Sequence, residues 1–152
     1  MINKSILVIS GPNLNLLGNR EEKYYGNISL DEIHKKIKKI GDLNNIIIEC
    51  KQSNSESEII RWIQNAKNNF KAIIINAGGY THTSVSIRDA LKLFDELIIE
   101  IHMSNIHSRE DFRHKSMISG VSSGIIIGFG DQSYYLAVNA AINKISGVKN
   151  YG

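Results

Sequence analysis

The chain has 152 residues, 42% of them hydrophobic and 22% charged, with a net charge of +3. This is the composition of a single globular domain with its own core, which excludes a disordered chain; the charge is too mild for a nucleic-acid-binding face. The lone cysteine, Cys50, excludes a disulfide framework and points to a cytoplasmic location, and no apolar run suits a signal peptide or a membrane span.

In chain order, residues 6–9 are a β-branched run that predicts a buried strand. The stretch "SGPNLNLLGNREEKYYG" follows, too polar for a core element and too long for an ordinary turn. "ISLDEIHKKIKKIG" predicts a helix: Ser29 with Glu32 is a capping box, Ile28 with Ile33 a hydrophobic staple, Leu30, Ile33, Ile37 and Ile40 one stripe, and Gly41 the stop. "NIIIEC" is the second strand and "SESEIIRWIQNAKNNF" the second helix, with Ile59, Ile63, Ala66 and Phe70 inward. "AIIINAGG" is a third strand ending at Asn76, and "SVSIRDALKLF" a helix. "LIIEIHMS" is a fourth strand, and "SREDF" a helical turn capped by Ser108. "GIIIGFG" is a fifth strand, and "QSYYLAVNAAINKIS" a closing helix stopped by Gly147, with its two tyrosines read as packing.

Strand and helix alternate throughout, and the strands are nearly continuous apolar runs, as when both faces are covered. This predicts an α/β fold: a flavodoxin-like, doubly wound sheet of roughly five parallel strands with helices on both faces. The chain reads as one catalytic domain over 1–152, with a mobile lid at 19–26. Ligands of such sheets lie beyond the carboxyl ends of the strands, and the reactive residues fall there. Asn13, Arg20, Tyr24 and Tyr25 follow the first strand. Asn76, Gly78, Gly79 and His82 follow the third, while Glu100, His102, Ser104, Asn105, His107, Arg109 and Arg113 end or follow the fourth.

Several of these have plainer readings. Asn13 fits a turn after Pro12, Arg20 fits a solvated loop, and His82 fits a hydrogen-bonded structural histidine. "NAGG" is either a tight turn or a cradle of N–H groups for an anion. Glu100 and His102 are more specific. Two apart on a strand, they share a face within an apolar run, where a carboxylate is costly unless paired. A Glu–His pair meets that cost and fixes the imidazole tautomer. His102, His107 and Asp111 could be drawn together on a metal, but the surrounding arginines would repel a dication. The chain has no phosphate loop ending in Gly-Lys-Ser/Thr and no Gly-x-Ser-x-Gly elbow. What remains suits proton transfer on a small oxygenated anion.

"GPNLNLLGNREEKYYG", "NAGGYTHTSVSIRDAL", "EIHMSNIHSREDFR" and "GFGDQSYYLA" together resemble the type II 3-dehydroquinate dehydratases, over nearly the whole chain and in the right order. The resemblance implies a flavodoxin-like fold, a trimer assembling to a dodecamer, no cofactor and no metal. It implies elimination of water from 3-dehydroquinate through an enolate, in the shikimate pathway. It makes Tyr25 the base, Arg20 its activator, Asn13 a loop stabiliser, and His102 with Glu100 the acid and its orienter. Substrate binding falls to Asn76, His82, Asp89, Met103, Ser104 and Arg113. This chain has Glu22 where many members have Pro, and Tyr24 places a second tyrosine beside the base.

A flavodoxin-like binding or signalling module is the alternative. It would show a Ser/Thr-rich phosphate loop after the first strand, or acidic residues there with an Asp ending the third; the chain has Ser-Gly-Pro and Asn76.

Overall fold

A computed structural model describes residues 4–19 and 26–147. Five parallel strands, β1 (Ser5–Ser10), β2 (Ile47–Gln52), β3 (Ala72–Asn76), β4 (Leu97–His102) and β5 (Gly124–Ile127), form one sheet in the order β2-β1-β3-β4-β5. This is the flavodoxin-like order. Helices α1 (Leu30–Leu43) and α4 (Gln132–Ile145) cover one face, packing with Ile6, Val8 and Ile74. Helices α2 (Glu56–Ala66) and α3 (Val85–Lys92) cover the other, packing with Leu7, Ile9, Ile73 and Ile75. Successive residues of a strand point to opposite faces, so the apolar runs of β1 and β3 feed both cores. Coverage of both faces does not extend to the edges: Ile47 of β2 is 60% exposed and Ile125 of β5 is 46% exposed.

Local signals explain most element boundaries. Ser29, Ser55 and Ser84 each accept the N–H three residues on, capping α1, α2 and α3. The Ser29–Glu32 box is modified, because Glu32 Oε1 lies 3.3 Å from the Ser29 hydroxyl and accepts from it. α2 ends at Ala66 rather than Phe70, because Asn68 turns left-handed at φ 68°. Ser108 is no cap: it ends one short 3-10 turn, and Glu110 precedes the next.

Gly41 corrects the expected stop of α1. It lies inside the helix, which runs to Leu43, and β2 begins at Ile47 rather than Asn45. Asn45 at φ 55° makes the turn. Gly41 lets the returning chain pass close by, since a Cβ there would lie 2.6 Å from the Ile46 carbonyl oxygen and 2.8 Å from Ile48 Cγ1. Ala normally stabilises a helix interior by about 1 kcal/mol over Gly. Gly41→Ala is expected to do the reverse, because overpacking costs roughly 1–3 kcal/mol and one clash is with backbone. A lower Tm checks this; a higher Tm would mean that β2 yields without cost.

Candidate active site

The carboxyl ends of β1, β3 and β4 open into a cleft, the place where ligands of such sheets bind. Its walls include Asn13, Asn76, His82, His102, Met103, Ser104, Arg109 and Arg113. Seven of the expected site residues are thus brought together from three strand ends. Glu100 stands directly behind His102. Arg20 and Tyr25, along with Glu22, Tyr24 and most of the expected lid, lie outside the described residues. Asp89 is exposed on α3 and does not line the cleft.

The His102–Glu100 pair has the expected geometry. His102 Nε2 lies 2.6 Å from Glu100 Oε2, with Glu100 fully buried and His102 5% exposed. Two further donors hold the carboxylate: Ser116 Oγ at 2.9 Å from Oε2, and Ser119 Oγ on Oε1. Burial acts to raise the Glu100 pKa. The bonds from His102 and Ser119, the charge of His102 and the bond from Ser116 outweigh it, so the carboxyl lies below its usual value. With Nε2 turned to Glu100, His102 keeps Nδ1 for chemistry.

His82 stacks beside His102, ring centroids 6.3 Å apart. Its Nδ1 lies 2.8 Å from the Lys115 carbonyl oxygen, which only accepts, so Nδ1 carries the proton. Burial, then the charges of His102 and Arg113, lower its pKa against the raising effect of the Lys115 bond. His82 is therefore a neutral imidazole near pH 7, with Nε2 as an acceptor.

The first loop is built tightly against the third. A Cβ on Gly11 would sit 2.5 Å from the Ala77 carbonyl oxygen, so only glycine fits there. Asn13 is left-handed at φ 69°, and its N–H donates to Asn54 Oδ1 at 3.0 Å. Asn54 is itself held by Tyr80, whose hydroxyl donates to the Asn54 carbonyl at 2.7 Å. The "NAGG" segment is a tight turn: Gly78 N–H donates to Asn76 Oδ1 at 3.3 Å and opens a 3-10 helix. Met103 belongs to the core shared with α1 and α4 and also lines the cleft. Arg113 Nε donates to Glu110 at 3.1 Å, and its guanidinium lies over Phe112.

The sequence assigns no site role to four contributors. Arg109 stands among the strand-end residues without a role, yet its side chain is 8% exposed and donates to Ser104 Oγ at 3.3 Å. Ser116 and Ser119 are short residues in an irregular segment. Tyr134, read as packing, places its hydroxyl in a buried polar cluster with Ser10 and Asn76. The His102, His107 and Asp111 set is not assembled: among the described residues no three His, Cys, Asp or Glu converge as metal ligands. Cys50 lies outside the cleft, and burial raises its thiol pKa to about 11. No described helix is long and apolar enough to cross a membrane.

Comparison with known proteins agrees with this geometry. The family profile described as "Dehydroquinase class II" matches residues 4–142. A 3-dehydroquinate dehydratase of Nitratiruptor sp. is 51% identical over 89% of this chain and 86% of its own length. The crystal structure of a type II dehydroquinase from Butyrivibrio crossotus superposes with a TM-score of 0.89 at 44% identity, covering 91% of this chain and 97% of that one. Another from Propionibacterium acnes gives 0.88 at 35% identity, covering 93% and 98%. With its strand order, its cleft and its sequence all in agreement, the chain belongs to the class II dehydroquinase family.

Proposed function

We propose that this chain is a 3-dehydroquinate dehydratase, eliminating water reversibly from 3-dehydroquinate to give 3-dehydroshikimate. The observation that carries the reading is the buried His102–Glu100 pair at the floor of a cleft lined by neutral and cationic polar groups, in a chain of this family. Mixing the protein with 3-dehydroquinate tests it. Appearance of the conjugated enone, followed by ultraviolet absorbance and by NMR of the product, is expected, and its absence would sink the activity.

The reaction removes the proton from carbon 2, next to the ketone, and expels the hydroxyl on carbon 1. Tyr25 takes the proton. A phenol has a reference pKa of about 10, but a cation about 4 Å away at an effective dielectric near 20 contributes roughly 4 kcal/mol, or about 3 pKa units. Arg20 therefore suffices in magnitude to make Tyr25 a tyrosinate near neutrality. Asn13 stabilises the enolate oxygen, directly or through a water. His102 works as the imidazolium: its Nε2–H stays with Glu100 and its Nδ1–H goes to the departing hydroxyl. In the reverse direction the neutral ring takes that proton back at Nδ1.

Asn76, His82, Arg113 and the Met103–Ser104 backbone hold the carboxylate and ring hydroxyls. His82 Nε2 accepts from a substrate hydroxyl, whereas Arg113 and the Ser104 hydroxyl serve the carboxylate. The site uses no cofactor and no metal. The enzyme acts in the cytoplasm, in the shikimate pathway leading to chorismate and the aromatic amino acids.

Arg20→Ala is expected to lower kcat chiefly by letting the Tyr25 pKa rise. The basic-side optimum of the activity-versus-pH curve then moves upward. An unchanged curve with only a higher KM would instead make Arg20 a plain substrate anchor.

The protein works as a trimer that assembles to a dodecamer. The exposure of Asp89, away from its own chain's cleft, supports a role in a neighbour's site. Inactive Tyr25→Phe chains mixed with inactive Asp89→Ala chains, under subunit exchange, are expected to regain part of the activity. No recovery despite proven exchange would mean that each site is built from one chain.

A further inference from the structure

Asn76 rests on a residue that does not itself line the cleft. Tyr134, near the start of α4, is fully buried, with its ring in the core beneath β1 and β3. Its hydroxyl lies 3.2 Å from Asn76 Nδ2 and 2.8 Å from Ser10 Oγ. Ser10 and Asn76 are register partners at the carboxyl ends of β1 and β3, so one phenol bridges two adjacent strand ends. Donor and acceptor roles follow from the chemistry of each group. The Gly78 N–H can only donate, so the Asn76 atom facing it is Oδ1. Nδ2 can only donate, so the Tyr134 oxygen accepts. The phenol proton is then left for Ser10 Oγ, since stranding it in a fully buried site would be costly.

We propose that Tyr134 is a positioning residue of the active site, setting the Asn76 side-chain amide so that it presents a hydrogen-bond donor to the substrate. The proposal rests on the assignment of Asn76 to substrate binding. The terminal torsion of an asparagine is broad and would let the amide offer either its oxygen or its nitrogen. Here Oδ1 is occupied by Gly78 and one Nδ2 hydrogen by Tyr134. A single Nδ2 hydrogen remains, suited to a hydroxyl or carboxylate oxygen and unsuited to a donor. The orientation is set before substrate arrives, which spares the ordering cost on binding.

A purely structural tyrosine would move stability alone, so the test separates stability from catalysis. Tyr134→Phe keeps the ring and removes only the oxygen. It is expected to lower kcat/KM by about tenfold, mostly through KM, as befits one misplaced hydrogen bond. In an Asn76→Ala background the same change is expected to have no further effect on kcat/KM, because the two act as one unit. Ser10→Ala, which removes the other partner of the phenol, is expected to lower Tm while leaving kcat/KM within about twofold. The proposal is overturned if Tyr134→Phe lowers only Tm, or if its effect multiplies with that of Asn76→Ala. If Asn76→Ala alone leaves kcat/KM unchanged, the substrate-binding role of Asn76 falls and takes this inference with it. Should Tyr134→Phe fail to fold, NMR of the wild-type Asn76 side-chain amide decides. One Nδ2 hydrogen protected from exchange, and the other shifted by added 3-dehydroshikimate, is expected. Two equally exchanging hydrogens would overturn the proposal.

Discussion

Tyr25→Phe is expected to cut kcat by roughly a thousandfold or more while KM stays within a few-fold of wild type, since a positioned general base contributes about 10²–10⁴-fold and the ring is retained. The described part of the cleft makes the case by what it offers. An elimination of this kind needs a base for the carbon-bound proton and an acid for the leaving hydroxyl. Among the described residues lining the cleft, the imidazoles are those of His82 and His102. His102 is committed to Glu100 through Nε2, which suits it to the acid role. His82 is neutral, and its Nδ1–H is tied to the Lys115 carbonyl. The proposed base lies in the segment between Asn19 and Gly26, where the chain carries Tyr24 and Tyr25. The family pattern selects Tyr25, immediately before Gly26. Tyr24→Phe is expected to change kcat by less than about threefold. Steady-state kinetics of the two variants, with substrate binding measured separately by calorimetry, checks the assignment; the reversed result would make Tyr24 the base.

The parts of this molecule that were legible in the sequence are those governed by local rules. The capping serine at 29, the Ile33–Ile37 stripe and the buried runs of β1 and β3 act within one or two helical turns or along one strand. The Glu100–His102 pair was legible for the same reason: an alternation of two within one strand places both on one face. What escaped depends on residues distant in sequence. Gly41 looks like a stop until β2 is seen passing against it. Phe70 continues the apolar period of α2, but Asn68 had already turned the chain. Ser116 and Ser119 reach Glu100 across 16 and 19 residues, and nothing in a short irregular stretch forecasts such a closure. Tyr134 sits on the apolar stripe of α4, where a tyrosine and a phenylalanine have the same periodicity. Only the sheet order, which places Ser10 beside Asn76 under that helix, gives its hydroxyl a role.

The second large effect is expected at Glu100, where two substitutions separate charge from shape. Glu100→Ala leaves the His102 ring and the Ser116 and Ser119 hydroxyls without their common acceptor in a closed site. Breaking a buried pair in this way costs roughly 3–5 kcal/mol, which for a domain of this size lowers Tm by on the order of 10 °C. Glu100→Gln keeps the volume, and the serine hydroxyls can rotate to meet the new amide, so its Tm is expected to fall less. Its kcat is nevertheless expected to drop by roughly 10²-fold, because a neutral amide no longer favours the imidazolium form of His102 that protonates the leaving hydroxyl. The same variant carries a pH signature. The folded-state Glu100 pKa lies below its ordinary value of 4.5, so the ionised carboxylate adds stability that is fully present above about pH 4.5 and is lost as pH falls through the folded value. Wild-type Tm should therefore decline on acidification below that point, and Glu100→Gln should remove that part of the decline. Thermal unfolding between about pH 3 and 7, set beside kcat at neutral pH, tests both arms. A Glu100→Gln enzyme with wild-type kcat would make the carboxylate a structural anchor only, and the acid role would then rest on His102 without it.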